Sequence, residues 1–394
     1  MQPSEVSVVT RTVREVPLGE TVDLQHLGEV FRQRGVRSDD DALTLIDFRN
    51  SRTFDVVALV YVLAMVGSRI AGERLTRFRL PLAVGALDAL HRQGFLQAAC
   101  LVARTPLPVL LALEDVERAG AGMRTSSAWT GDAREQILQH LRDKRVFGLL
   151  LHPLDDEDAK LAMVRRELGR WTEPLALALF SRHLKASAEW DVARVIVHEI
   201  LANVQEHPHA STAVVASDMV LARDGVPEAA LTIAVWDDGE SIIETLRGGL
   251  ISRGSVRIAP PPTTDTFRVH RRGAGSQEAD MIRTSAWEPE VTSDDRDLLL
   301  ASLFPGISSK PGEADRGDDG LYDRFLGCGL YFLYHHVIDV FGGALDIYVG
   351  GIRLTVEAEN DPTSSAQYLV TLAEGLGTPK IRGNLVVARL PTHA

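Results

Sequence analysis

Apolar positions in this chain follow two rhythms, and the changes between them mark out the elements. Ala42 to Phe48 (ALTLIDF) is a short, nearly unbroken apolar run, as expected of a buried strand. Thr53 to Ile70 is apolar almost all round and reads as a buried helix. Its run from Val56 to Val66 falls well short of the roughly 20 apolar residues that cross a bilayer, so it belongs in a protein core. Arg77 to Leu80 reads as a second strand stopped by Pro81, Leu82 to His91 as a helix ending near Gly94, and Gln97 to Ala103 as a third strand. Strands alternating with helices predict a small α/β layer with a partly parallel sheet.

Further on, His198 to Pro208 (HEILANVQEHP) has helical spacing. Ile196, Ile200 and Val204 form one line and Val197 and Leu201 the next, while Glu199, Asn203 and His207 recur every fourth residue and share one face. A carboxylate and an amide on an otherwise apolar helix cost free energy unless something polar meets them. Ser211 to Leu221 and Leu231 to Trp236 read as strands joined by a turn at Asp224 to Pro227, the second ending in Asp237 and Gly239. Gly327-Cys328-Gly329-Leu330 opens a helix that runs to about Phe341 and stops at Gly342-Gly343. Strands follow at Leu345 to Val349 and Asn384 to Pro391.

Composition narrows the class. The chain has 394 residues, enough for two domains, and a formal net charge of −12. That charge argues against a nucleic-acid partner. Arg268 to Arg272 (RVHRR) reads as a solvated loop, with a local basic patch as the alternative. Cys100 and Cys328 are far apart and in no metal spacing, which points to a reducing compartment. No charged-then-apolar leader is present, and the expectation is a cytoplasmic protein without membrane contact. Arg104 to Ala133 is turn-rich and reads as a connector. Asp155 to Asp158 precedes a helical pattern over Ala159 to Leu184.

Each chemical motif alone is weak. Glu199 and Asn203 are a common spacing, and the zinc-protease pattern is excluded because Ala202 stands where the second His is required. Taken together, HEILANVQEHP, VWDDGES and GCGL resemble, in order, the N box and the two Gly boxes of the GHKL ATPases. That superfamily is named for gyrase, the heat-shock chaperone, histidine kinases and a mismatch-repair ATPase. FPGISSK (Phe304 to Lys310) is similar to the segment opening the family's ATP lid, and the polar, Gly-rich stretch after it suits a mobile lid. The resemblance covers roughly residues 185 to 394. It implies a Bergerat-type α/β sandwich that binds ATP with Mg2+.

In that reading Asp237 accepts from the adenine amino group, Gly239 lets the backbone approach the base, and Asn203 ligates Mg2+. Glu199 orients or deprotonates the attacking group, and His207 faces the nucleotide from the same helix. Ser308, Ser309 and Lys310 reach the triphosphate, as does the turn Gly327, Gly329 and Leu330 at a helix N-terminus. Two positions depart from the family. Ser241 stands in the last Gly place of D-x-G-x-G, where it is small enough to keep the match. Asn384 follows Gly383 where many members carry a Thr that assists adenine binding through water, a hydrogen bond Asn384 can also supply. The order of elements around ALTLIDF also resembles the STAS-like fold of anti-sigma-factor antagonists.

The expected architecture is α/β (α+β). Residues 1–130 form a small α/β domain, 131–184 a helical connector, and 185–394 the ATP-binding domain. An insert at about 245–297 is left to cover the nucleotide, bind a partner or form a flexible bulge. The expected function is a nucleotide-driven switch with slow hydrolysis or phosphotransfer, acting on a regulatory protein partner and able to form a homodimer. A serine/threonine kinase of the anti-sigma-factor type is the rival. A histidine kinase lacks support, since the surroundings of His183 (SRHLKAS) hold no phosphoacceptor motif. A scaffold that binds ATP structurally is the alternative of another class, and Ser241 and Asn384 are the reasons to retain it.

Overall fold

The computed structural model describes residues 13–36, 42–116, 146–150, 196, 199–200, 204, 210–220, 229–257, 264–273, 276–308, 329–374 and 380–392. The architecture is mixed α/β with several sheets.

The first layer is built around a parallel three-stranded sheet ordered β1 (Val13–Pro17), β3 (Leu43–Asp47) and β5 (Thr76–Arg79). Two-residue strands β2 (Thr21–Val22) and β4 (Thr53–Phe54) pair beside it. Helix α1 (Leu24–Arg34) starts where the Asp23 side chain accepts from the His26 N–H and stops at Gly35, whose φ of 60° only glycine adopts cheaply. Asp55 likewise accepts from the N–H groups of Val57 and Ala58 and so caps α2 (Val56–Ala71). Every residue of α2 from Val56 to Val66 is buried, because the helix lies between two sheets. Helices α3 (Val84–Arg92), α4 (Phe95–Ala103) and α5 (Leu107–Leu110) complete the layer.

Gln97 to Ala103 is therefore not a strand. Ala98, Ala99, Val102 and Ala103 are all buried at helical spacing, and a seven-residue apolar run satisfies either period.

The second sheet has nine strands. Its order is β10 (Ser276–Arg283), β9 (Thr266–Gly273), β13 (Tyr368–Glu374), β12 (Ile352–Ala358), β11 (Ala344–Val349), β14 (Asn384–Thr392), β8 (Ala229–Asp237), β7 (Thr212–Val220) and β6 (Val146–Leu150). All neighbours are antiparallel except β13 and β9. Helices α6 (Ile242–Arg253), α7 (Asp295–Ala301) and α8 (Gly329–His335) cover its front. After α8 the chain makes a π turn over His336–Val340.

Strand β8 shows why this sheet reads as unbroken apolar sequence. Leu231, Ile233 and Val235 enter the front core with Ile196, Ile200 and Val204, whereas Ala234 and Trp236 enter the back core with α2 and α4. The first layer thus covers the back of β7, β8 and β14. Trp236 sits in a notch at Gly67, where a Cβ would stand 2.6 Å from the indole ring. No helix among the described residues is long and apolar enough to cross a membrane.

Two further expectations change. The stretch at 245–297 is largely ordered into α6, the β9–β10 hairpin and the start of α7, and the hairpin extends the large sheet at one edge. The APPPT motif within it lies outside the described residues. The RVHRR segment is strand and not loop. Arg268 bonds Asp361 and faces Glu359, and Arg271 bonds Asp297 at 2.8 Å and pairs with Asp280, so the charges of these two arginines are matched by acids.

Candidate functional site

The site is best built from the end of β8. Asp237 is the last residue of that strand and is 1% exposed. Its Oδ1 accepts from the Gly239 N–H at 2.9 Å, which turns the chain sharply after the strand. Directly across on β14 stands Asn384, also 1% exposed. The Asn384 Nδ2 donates to Asp237 Oδ2 at 3.4 Å and to the Glu240 carbonyl at 3.3 Å. Its Oδ1 accepts from the Ile242 N–H at 2.8 Å. One side chain therefore ties the acid, the turn after it and the first residue of α6 together.

Gly383 makes the approach possible. Its φ is 75°, and a Cβ there would lie 1.8 Å from the Asp237 carbonyl oxygen. The neighbouring turn is fastened from behind as well. Trp236 Nε1 donates to the Arg382 carbonyl at 2.8 Å, and the Arg382 N–H donates to Ser68 Oγ on α2 at 2.7 Å.

Asp238 has a different task from Asp237. Its carboxylate accepts from the Ser211 and Thr212 N–H groups and from Ser211 Oγ, closing the start of β7 onto the end of β8. Arg104 donates to the same Ser211 hydroxyl at 2.7 Å.

Ser241 caps α6. Its Oγ accepts from the Glu244 N–H while the Glu244 carboxylate accepts from the Ser241 N–H, a reciprocal capping box. Sequence reasoning missed this role, although Ser followed three residues later by Glu is the capping-box pattern. At its far end α6 stops at Gly254, and the chain there is stapled to Ser308. The Ser308 N–H donates to the Val256 carbonyl at 2.8 Å, and Arg253 donates to the Ser308 carbonyl at 3.0 Å. A helix of 12 residues is about 18 Å long, so α6 spans from the Asp237–Asn384 pair to Ser308.

Glu199 is half-buried and helical, as are Ile196, Ile200 and Val204, whose side chains enter the front core. Gly329 is the first residue of α8, and Leu330 is buried in the same core. Asn203, His207, Ser309, Lys310 and Gly327 lie outside the described residues. Among the described residues no group of three or more His, Cys, Asp or Glu side chains is arranged to hold a metal ion. The structure thus joins Asp237, Gly239 and Asn384 by hydrogen bonds. Ser241 sits beside them and bonds to Glu244, and α6 connects the group to Ser308.

Sequence reasoning missed a second polar cluster on α8. His335, Asp265, Asp339, Tyr334 and Tyr368 come from four separate places in the chain and meet at one point. No pattern of spacing announces it, since its members lie up to about a hundred residues apart.

Compared with known proteins, the chain matches no family model, no curated protein and no solved structure.

Proposed function

We propose that the chain is an ATP-binding protein of the GHKL type, with a Bergerat-like nucleotide site, working as a Mg2+-dependent switch through slow hydrolysis or phosphotransfer. The observation that carries this reading is the pairing of Asp237 with Asn384. A buried carboxylate and a buried amide lie side by side where two antiparallel strands end, next to a glycine turn and a helix start. A carboxylate so placed selects a base with an amino donor, because the wrong base leaves a buried acceptor unmatched. The order of elements also supports it: acid-ended strand, lid-like FPGISSK, Gly-rich helix start, paired strands. When bound, ATP would supply the phosphoryl group and Mg2+ its charge compensation, with Asn203 as the expected metal ligand and Glu199 as the expected base.

The capping box at Ser241 favours a second reading. The Ser241 hydroxyl is engaged in holding α6, and the Asn384 amide in holding three backbone and side-chain partners. A scaffold that binds nucleotide for shape alone would also be built this way.

The test is the melting temperature with Mg-ATP and with Mg-GTP, for the wild type and for Asp237→Asn. The variant keeps the side chain's shape and replaces one acceptor oxygen with a donor. Ligand at 100 times its Kd stabilises by about 2.7 kcal/mol. A shift with ATP alone, lost in the variant, supports the adenine site. No shift with either nucleotide overturns it. Phosphate release, measured in the same preparation, separates the switch from the scaffold.

A further inference from the structure

The cluster around His335 is geometrically unusual because both ring nitrogens face carboxylates. Nε2 lies 3.1 Å from Asp265 Oδ2, and Nδ1 lies 2.6 Å from Asp339 Oδ2. Carboxylates only accept, so both contacts are made at once only by the imidazolium, which has two N–H donors. The two acids are anchored independently. Tyr334 donates to Asp265 at 2.6 Å, and Tyr368 donates to Asp339 at 2.8 Å. The Asp265 backbone is pinned to Thr284 by reciprocal bonds. Tyr331 and Tyr334 enclose the imidazole with ring centroids 4.4 and 4.6 Å away. Among the described residues, the charged groups facing His335 are Asp265 before β9 and Asp339 in the π turn. The phenols of Tyr331 and Tyr334 on α8 and Tyr368 on β13 complete its surroundings.

We propose that His335 is a proton-operated latch that holds the π turn after α8 against the β9–β13 region of the sheet and releases it when the imidazolium loses a proton. The release is one-sided. Asp265 is 4% exposed and has little access to replacement water, so the remaining proton stays on Nε2 facing it. Nδ1 then becomes an acceptor. The Tyr368 hydroxyl, 2.9 Å from it, turns to donate there and leaves Asp339. Asp339 loses both donors and, being 48% exposed, is taken by solvent. The π turn His336–Val340 opens and Asp265 stays in place.

The direction in pH follows from the charges. Burial alone would lower the His335 pKa, but the hydrogen bonds and charges of Asp265 and Asp339 outweigh it and the net shift is upward from 6.5. The latch therefore contributes fully below 6.5 and is lost as pH rises through the raised value. For Asp265, burial would raise the carboxyl and the bonds from His335 and Tyr334 outweigh it, so its pKa lies below the usual 3.8. Its contribution is lost only in strong acid.

The experiment is a pH titration of the histidine ring resonances in the full chain, with His335 assigned by its loss in His335→Gln. The expected midpoint lies above 6.5, falls by about a unit in Asp339→Asn, and rises in Tyr368→Phe, which removes the alternative donor for Nδ1. Asp339 is half-exposed, so its variant retains the fold. Hydrogen exchange of the wild type supplies a readout that needs no variant. Protection over residues 336–342, corrected for intrinsic exchange, drops as pH passes the midpoint while β9 keeps its own. A midpoint at or below 6.5, an unchanged midpoint in Asp339→Asn, or protection independent of pH would overturn the latch.

Discussion

Asn384 stands directly opposite Asp237, the first residue of one strand against the last of its antiparallel neighbour, and both are almost wholly buried. The Asn384 amide is also the acceptor for the first N–H of α6. Truncation to Ala leaves that donor buried and unmatched, at about 1–3 kcal/mol. Asn384→Asp keeps the acceptor but sets a second carboxylate beside Asp237. Like charges raise one carboxyl pKa of the pair, so this variant's deficit against the wild type grows as pH rises through that value. Urea midpoints at pH 5 and pH 8 check both. An Asp variant with the same deficit at each pH would show that the two side chains do not interact.

Gly383 and Gly254 separate backbone strain from collision. Both have positive φ, 75° and 78°, but a Cβ on Gly254 meets open space whereas one on Gly383 meets the Asp237 carbonyl. Gly254→Ala is expected to cost only the left-handed penalty, about 1–2 kcal/mol. Gly383→Ala must cost distinctly more and also displace Asp237. Denaturation curves of the two variants, taken side by side, decide it.

The capping role of Ser241 is testable apart from any nucleotide. Ser241→Ala is expected to lose about 1 kcal/mol, since it removes the acceptor for Glu244. Ser241→Asp supplies another good cap and should recover most of that stability. If Asp is as damaging as Ala, the hydroxyl is doing something other than capping.

Cys100 is expected to be unreactive in the folded chain. Burial on α4 pushes its thiol up to about 11 from the ordinary 9.0. At pH 8 that reduces the thiolate fraction on the order of a hundredfold, and alkylation should slow accordingly. Peptide-resolved labelling with iodoacetamide, in buffer and in urea, gives the ratio directly. Equal rates in the two conditions would contradict the burial.

Legibility varied with how local the cause was. Strands β7, β8, β11 and β14 were readable because their apolar runs are bounded by glycine or turn residues, and the stop of the α8 region at Gly342-Gly343 followed the same logic. Helix α4 was not, because Ala-rich runs of seven residues fit both periods and only burial against the sheet decides between them. The RVHRR strand was hidden by its charge. Nothing local reveals that Asp280, Asp297, Glu359 and Asp361 lie opposite those arginines. Strand β1 and helix α1 were not read at all, although Asp23 and Gly35 mark the ends of α1 once it is known. In the candidate site, Asp237 and Asn384 were singled out separately. Their adjacency is a matter of register between strands some 147 residues apart, which no short motif contains.

The fit of Trp236 against Gly67 has a consequence for how the chain can be divided. A fragment begun at residue 146 would keep the nine-stranded sheet but lose α2 and α4. The side chains of Val214, Ala216, Ala234, Trp236, Leu385 and Val387 would then face water as one apolar sheet surface. Surfaces of that kind adhere to each other. Expressed alone, the half that carries the nine-stranded sheet would be a sticky protein, and the N-terminal layer is what keeps that surface covered.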